Sequence, residues 1–520
     1  MKTTEELLKE LETLKKAYKK LQNENQKKDV IIYETNKKLE NTLLILQAYE
    51  EKYNIERTKV FIPKTEKLDK IVINETEEIL HEEKVKRKSN KGKKYNKSKF
   101  DYEKYVTEIK EELPEETICS TCGASLVEAS KKTRYLVEII PAKIKVVKII
   151  KISKKCPHCN KQDNKIYYPL SKENLGGSIL SNSLAAFIID HKYELGIPFH
   201  HLADYLTKGI GFEINKQNLA NYVAKITKVL EPIYNRMKED LLNNGPKVIH
   251  SDETTLVVSK PDEENKNRKK SYVYVYASSL YDANRIRIYD FHESREIKET
   301  SQWLSNYQGV IECDNFAGYN LLKKQNESIT LQKCWAHVRR RYADIVKATK
   351  KEKRFESVAY KILIEIQKIF QLEKKYKEDK LTPDEIVEKR KNDIPSIKEK
   401  IKDIVFNCNP LKKSALEEAV EYTKDCWNDL FTFVNNGYVE ISNNLAEVAV
   451  KPFVLQRKVF QTAGSYVGAR ITGKIFSIVQ TCKINNVNVS KYIEYVLENI
   501  STIPIEELLP YSKEITNKLK

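Results

Sequence analysis

Glycine and proline are scarce, at 14 and 15 residues in a chain of 520, about half their average usage. That excludes a collagen-like, linker-dominated or proline-rich chain and favours helices and strands joined by short loops. No apolar run reaches the roughly 18 residues of a membrane-spanning helix, and the opening MKTTEELLKELETLKK lacks the apolar core of a secretory signal. The nine cysteines are an odd number and too few for a disulfide scaffold at this length. A soluble, cytoplasmic protein with no membrane partner is the expectation. Charge, by contrast, is abundant. Lys and Arg number 92 against 74 Asp and Glu, a net +18, which points to a polyanionic partner. The length allows three or four domains.

Residues 1–50 carry a seven-residue apolar repeat through Leu7, Leu11, Leu14, Tyr18 and Leu21, continuing through Ile32, Leu39 and Leu46. With Leu7 at position d, Asn25 falls at a, where a polar residue sets register and oligomer state. The spacing predicts a coiled-coil helix and a homo-oligomer. Lys28, Thr35 and Thr42 interrupt the seam, and the competing reading is a single helix folded back on the body. From Lys84 to Lys99, nine of sixteen residues are basic and none is acidic. This solvated linker doubles as a phosphate-tracking arm.

Cys119-Ser-Thr-Cys122 and Cys156-Pro-His-Cys159 are two C-x2-C knuckles separated by 33 residues, including a β-rich run over Arg134–Ile152. Two knuckles joined by a hairpin close a tetrahedral four-sulfur site that suits structural Zn2+ and leaves no position open for chemistry. Cys119, Cys122, Cys156 and Cys159 are therefore the expected zinc ligands. The other five cysteines, Cys334 among them, read as ordinary small or buried residues.

Helical spacing places Leu184, Phe187, Ile188, His191 and Leu195 on one face. From Lys247 the pattern becomes strands at KVIHSDETTLVVS, Ser271–Ser279, Arg285–Phe291, Gly309–Asp314 and Ile329–Trp335. Helices fall near Ile297–Tyr307, Phe316–Lys323 and from Ala336. A three-strand meander, helix, strand, helix, strand is the order of a ribonuclease-H-like domain, in which the first and fourth strands are neighbours. In that topology Asp252 and Asp314 meet. Two adjacent carboxylates repel unless a cation stands between them. The expected occupant is Mg2+, or Mn2+, bound through carboxylates and substrate phosphate oxygens. A third acid from a later helix is wanted.

IHSDETTLVVS, ECDNFAGYN, KCWAHVRRRY and SNNLAEVAVKPFVLQRKVFQTAGS, in that order, resemble the insertion-sequence-66 family of transposases, and the coiled coil and ribbon match the family layout. The resemblance implies an Asp–Asp–Glu triad of Asp252, Asp314 and Glu447, a helical insertion before the Glu, and double-stranded DNA as partner. It implies two-metal-ion cleavage of the element's ends and joining of the freed 3′ hydroxyls to target DNA, with accessory proteins of the same element as further partners. By the same match His337, Arg339, Arg340 and Arg341, and Arg457 with Lys458, are DNA-binding candidates. Ser442 stands where the family usually has Asp, and Val448 where it usually has Arg. Ser442 remains a candidate helix cap. The alternative reading is a catalytically decayed zinc-ribbon DNA-binding protein.

The expected architecture is thus multidomain α/β. A coiled-coil helix (1–50) and basic arm (51–112) precede a zinc ribbon (113–168) and a helical, candidate DNA-binding segment (169–243). A ribonuclease-H-like catalytic domain (244–465) carries the helical insertion at about 343–436, and a helical segment (466–520) follows.

Overall fold

The computed structural model describes residues 4–61, 179–243, 245–260, 269–296 and 298–519, and between them 106, 107, 109, 121, 124, 125, 143–155, 166–168 and 175. The chain divides into two compact units, one of residues 1–78, 170–202 and 215–520, the other of 79–169 and 203–214. The four ribbon cysteines and the basic run 84–99 lie outside the described residues. In the smaller unit β1 (Lys154–Lys155) pairs antiparallel with β2 (Ile166–Tyr167). The β-rich run was expected to reach Ile152, but residues 143–153 join no ladder. Val146 and Ile150 are 83% and 71% exposed. Alternating β-branched residues make a strand only where a neighbouring strand and an apolar face receive them.

The larger unit opens with α1 (Thr4–Phe61), one helix without a single Gly or Pro. Its repeat residues Leu11, Leu14, Tyr18, Leu21, Ile32 and Leu39 are all at least half exposed. The seam-breaking Thr35 and Thr42 donate their hydroxyls back to Ile31 O (2.7 Å) and Lys38 O (2.9 Å) of their own helix. Only the last turns pack on the unit, through buried Ala48 and Ile55 and an ion pair from Lys52 to Glu418.

Next, α2 (Asn182–Ile189) starts at Ser181, whose Oγ accepts from Leu184 N at 3.2 Å. It runs into one π-helical turn, Asp190–Glu194. The extra residue in that turn breaks the 3.6 spacing. Leu195, expected on the apolar face, is therefore 60% exposed, and Lys192 and Tyr193 are buried instead. Two further helices follow, α3 (Phe199–Asp204) and α4 (Lys216–Leu242).

β3 (Val248–Val258), β4 (Lys269–Ser278) and β5 (Arg287–His292) form an antiparallel meander. After α5 (Lys298–Trp303), β6 (Gly309–Cys313) lies parallel to β3; after α6 (Ala317–Gln325), β7 (Ile329–Lys333) lies parallel to β6. The sheet order is β5-β4-β3-β6-β7, with the first strand beside the fourth as the sequence pattern predicts.

Beyond the sheet the chain is almost wholly helical: α7 (Trp335–Ala348), the short α8 (Lys351–Arg354), α9 (Val358–Glu378), α10 (Pro383–Asn407) and α11 (Ala415–Cys426), then a 3-10 turn at Trp427–Asn435. All of these but α8 share one apolar core that includes Trp335, Tyr342, Ile366, Ile401 and Phe433. The chain then returns to the sheet with α12 (Asn444–Phe460) and β8 (Thr462–Ala463), and ends in α13 (Tyr466–Ile484), α14 (Val489–Asn499) and α15 (Lys513–Lys518). Among the described residues, no helix is long and apolar enough to cross a membrane.

The edge strand β5 is covered by α13. Tyr289 N donates to Ser477 Oγ (2.8 Å), Arg287 N to Thr481 Oγ1 (3.1 Å), and Asn485 Nδ2 to Arg285 O (2.8 Å). One helix face of period four thus satisfies backbone groups that an open edge leaves unpaired. The approach needs a glycine, because a Cβ on Gly473 meets Tyr289 O at 2.6 Å. Gly473→Val is expected to destabilise the protein by about 1–3 kcal/mol. An unchanged melting temperature in that variant would refute the contact.

Candidate active site

β3 is paired with β4 from Ile249 to Val258, but its other edge is shared. It meets β6 at Val248–His250 and β8 at Val257–Val258. Side chains close the interval between. Asn443 Nδ2 donates to Ser251 O at 2.6 Å, and Glu253 N donates to Asp252 Oδ1 at 2.8 Å. Arg457 Nη1 donates to Thr254 Oγ1 (2.9 Å), to Thr255 Oγ1 (2.8 Å) and to Thr255 O. Asn443 and Arg457 bracket α12, so that helix is fastened along the opened edge. Asp252 and Asp314 each lie two residues past a register pair, His250 and Glu312. They therefore face each other where the parallel strands part, and Glu447 joins them from the first turn of α12.

Asp314 and Glu447 both act on Asp252. Burial first, then the negative charges of Glu253 and Asp314, push the Asp252 carboxyl up to about 8, and Glu447 adds to the rise. Glu447 Oε1 is buried without a hydrogen-bond partner. A crowded, incompletely neutralised set of carboxylate oxygens is what a hard divalent cation relieves, and Asp252, Asp314 and Glu447 offer the oxygen donors that such an ion takes.

Strand alternation puts Ser251 and Glu253 on the opposite face. There Ser251 Oγ is 2.9 Å from Tyr319 Oη, Tyr319 Oη is 3.4 Å from Glu253 Oε2, and Arg295 Nε donates to Glu253 Oε1 at 3.1 Å. On the acids' own face, deeper in the sheet, His250 Nδ1 is 3.4 Å from Glu312 Oε2 with neither side chain exposed. Burial pushes His250 down to about 4 and Glu312 well above the usual carboxylate range, which disfavours the charged form of each. Glu440 N donates to Glu312 Oε1 at 2.7 Å.

The basic motif of α7 divides by helical period. His337 Nε2 and Arg340 Nη2 each stand 3.8 Å from a Glu447 carboxylate oxygen. Burial lowers the His337 pKa, and Glu447 opposes that shift. Arg339 is buried over the Phe370 ring (4.8 Å), and Arg341 lies over Tyr422 (4.0 Å). Lys458 is exposed. Ser442 is buried, one residue before the N-cap position of α12. Asn443 holds the N-cap position, makes no side-chain cap bond, and spends its amide on Ser251 O.

Sequence reasoning passed over three residues here. Lys333 is buried, its Nζ donating to Asp314 O at 3.0 Å. Glu253 was hidden beside Asp252. Cys334 accepts a hydrogen bond from Asn443 N at 3.2 Å and lies near His337 and Glu447; its signal in the sequence was the Cys-x-x-His spacing.

Residues 177–471, more than half of the chain, match the family described as Transposase IS66 family. Residues 116–160, which span all four knuckle cysteines, match the zinc-finger binding domain of transposase IS66. Among curated proteins, the uncharacterized protein y4jD of Sinorhizobium fredii is 26% identical over 77% of this chain and 78% of its own length. The uncharacterized protein y4qI of the same organism is 23% identical over 81% and 79%.

Proposed function

The chain belongs to the IS66 family of transposases, and from that membership we propose that it cleaves the ends of an insertion sequence and joins the 3′ hydroxyls to target DNA. The observation that carries this reading is the meeting of Asp252, Asp314 and Glu447 at the parting of β3 and β6. Family membership already implies a DNA-processing enzyme with a zinc-binding domain. The strand order β5-β4-β3-β6-β7 supports a ribonuclease-H-like core within 244–465, with 343–436 as its helical insertion. Residues 1–50, 51–112, 113–168, 169–243 and 466–520 then serve as assembly helix, basic arm, ribbon, DNA-binding segment and closing helices.

Asp252, Asp314 and Glu447 hold the metal, Mg2+ or Mn2+. When bound, two such ions supply activation of the attacking oxygen and charge neutralisation at the phosphate. The protein's own residues do the positioning. Asn443 ties the start of α12 to β3 and so sets Glu447 against Asp252. Arg340, exposed beside Glu447, offers paired donors to a phosphate of the bound strand. Arg457 holds the strand edge, with Lys458 turned outward to the DNA. Arg339 and Arg341 support α7 from its far side by stacking on Phe370 and Tyr422.

The test is a Mg2+- or Mn2+-dependent cleavage and joining assay on DNA carrying the sequences that flank the gene, with and without the neighbouring gene products. Joined products support transposition. Sequence-selective binding without cutting in either condition favours the decayed DNA-binding reading. The exposed repeat of α1 is the assembly device in this proposal. Removing residues 1–46, which spares the packed turns at Ala48 and Ile55, is expected to lower the number of chains per particle, read from the mass in light scattering. An unchanged number of chains rejects that role.

A further inference from the structure

Cys334 is the residue immediately before α7, and His337 lies in that helix's first turn. Cys334 Sγ, a His337 ring nitrogen and a Glu447 carboxylate oxygen all lie within 4.8 Å of one another. His337 Nε2 stands 3.8 Å from Glu447 Oε1. Ligands about 2.0–2.3 Å from a tetrahedral zinc ion stand roughly 3.3–3.8 Å apart, so about an ångström of side-chain closure brings the three into range. Glu447 carries unmet capacity here, since its Oε1 is buried without a hydrogen-bond partner. Cys334 is 3% exposed, and its sulfur receives the Asn443 backbone N–H. A backbone donor aimed at sulfur stabilises a thiolate.

We propose that Cys334, His337 and Glu447 form a binding site for a borderline-soft divalent cation of the zinc class, and that its occupancy withdraws Glu447 from Asp252 and Asp314. The competition rests on the transposase reading of Glu447; the binding does not. The donor chemistry separates the two sites. Asp252 and Asp314 offer oxygen only, which suits Mg2+, whereas sulfur and imidazole select zinc over magnesium. Three protein donors leave a fourth position for water. In the metal-free protein burial keeps the Cys334 thiol protonated, up to about 12. Coordination replaces that proton, and one H+ leaves to solvent for each ion bound. Arg340, on the other oxygen of Glu447, and the nearby Arg341 oppose the cation. The thiolate and the carboxylate together offset its two charges.

The experiment uses the full chain with the ribbon's zinc in place. Zinc is titrated, and bound metal per chain and released protons are counted for the wild type, Cys334→Ser, His337→Ala, Cys156→Ser and Asp252→Asn. One zinc per chain beyond the ribbon's own is expected in the wild type and in Asp252→Asn, and it is lost in Cys334→Ser and His337→Ala. His337 is part-exposed, so its variant carries the test if Cys334→Ser does not fold. Co2+ supplies the second readout, a sulfur-to-cobalt charge-transfer band that appears in the wild type with the ribbon's zinc in place and vanishes in Cys334→Ser. Equal zinc stoichiometry in the wild type and His337→Ala overturns the site. Excess zinc is expected to inhibit Mg2+-dependent cleavage at least tenfold in the wild type and less in His337→Ala; equal inhibition overturns the competition. A zinc equivalent lost in His337→Ala without Asp252-dependent cleavage by the wild type removes the transposase reading and leaves the binding site standing.

Discussion

Asp252→Asn is expected to reduce strand cleavage and joining at least about a thousandfold while leaving DNA affinity intact. Metal clamping of a transferring phosphoryl group is worth several kcal/mol, and each 1.36 kcal/mol is tenfold in rate. The phosphate-binding groups proposed here, Arg340 and Lys458, are separate from the carboxylate. A second signature follows from the raised pKa of about 8. The unfolded Asp ionises near 3.9, so between about pH 4 and 8 ionisation favours the unfolded state, and its penalty on the metal-free wild type grows with pH. Asn carries no such penalty. The melting-temperature advantage of Asp252→Asn without metal is expected to widen from pH 4 to pH 8. Saturating Mg2+ should narrow it by stabilising the wild type. Cleavage at the wild-type rate by this variant would remove Asp252 from the site. A gap independent of pH would show that its carboxyl is not crowded.

The largest expected loss of stability lies away from the acids. Arg390 is 2% exposed. Its Nε and Nη2 bond Glu373 Oε1 and Oε2 at 2.7 and 2.6 Å, and its Nη1 bonds Phe433 O and Asn436 O at 2.7 and 2.9 Å. One guanidinium thus joins α9, α10 and the 3-10 turn, and it holds the chain just before the segment that leads to Glu447. Arg390→Ala leaves Glu373 charged and unpaired and takes one of two donors from each carbonyl, which keep the N–H of Asn436 and of Val439, a loss of about 3–5 kcal/mol. Arg390→Met combined with Glu373→Leu should recover most of it, since no charge is then left buried alone. Thermal denaturation separates the cases. A single variant as stable as the wild type would show that the pair holds nothing together.

Much of this was legible in the sequence because it is written locally. An apolar-rich run located β3, period-two runs located β4 and β5, and the interleaved helices gave the order that sets β3 beside β6, hence Asp252 beside Asp314. Glu447 was legible only through the family motif, because an acid on a helix carries no pattern of its own. Leu195 was misplaced because a π turn leaves no mark on apolar spacing, and the run ending at Ile152 because alternation does not report whether a partner strand exists. Arg339, Arg340 and Arg341 look equivalent in sequence. They are divided by a helix that turns 100° per residue, which sends one to Glu447, one to Phe370 and one to Tyr422.

The sequence by itself determined the family, the strand order and the pair of aspartates, because each rests on residue type and on spacing along the chain. Only the tertiary structure decided which side chains close the open edge of β3 and which arginine faces the acids. It alone decided that Cys334, His337 and Glu447 share one corner. Those relations join residues far apart in the chain, and their distances are set by the packing of α7 and α12 against the sheet, which no local pattern encodes.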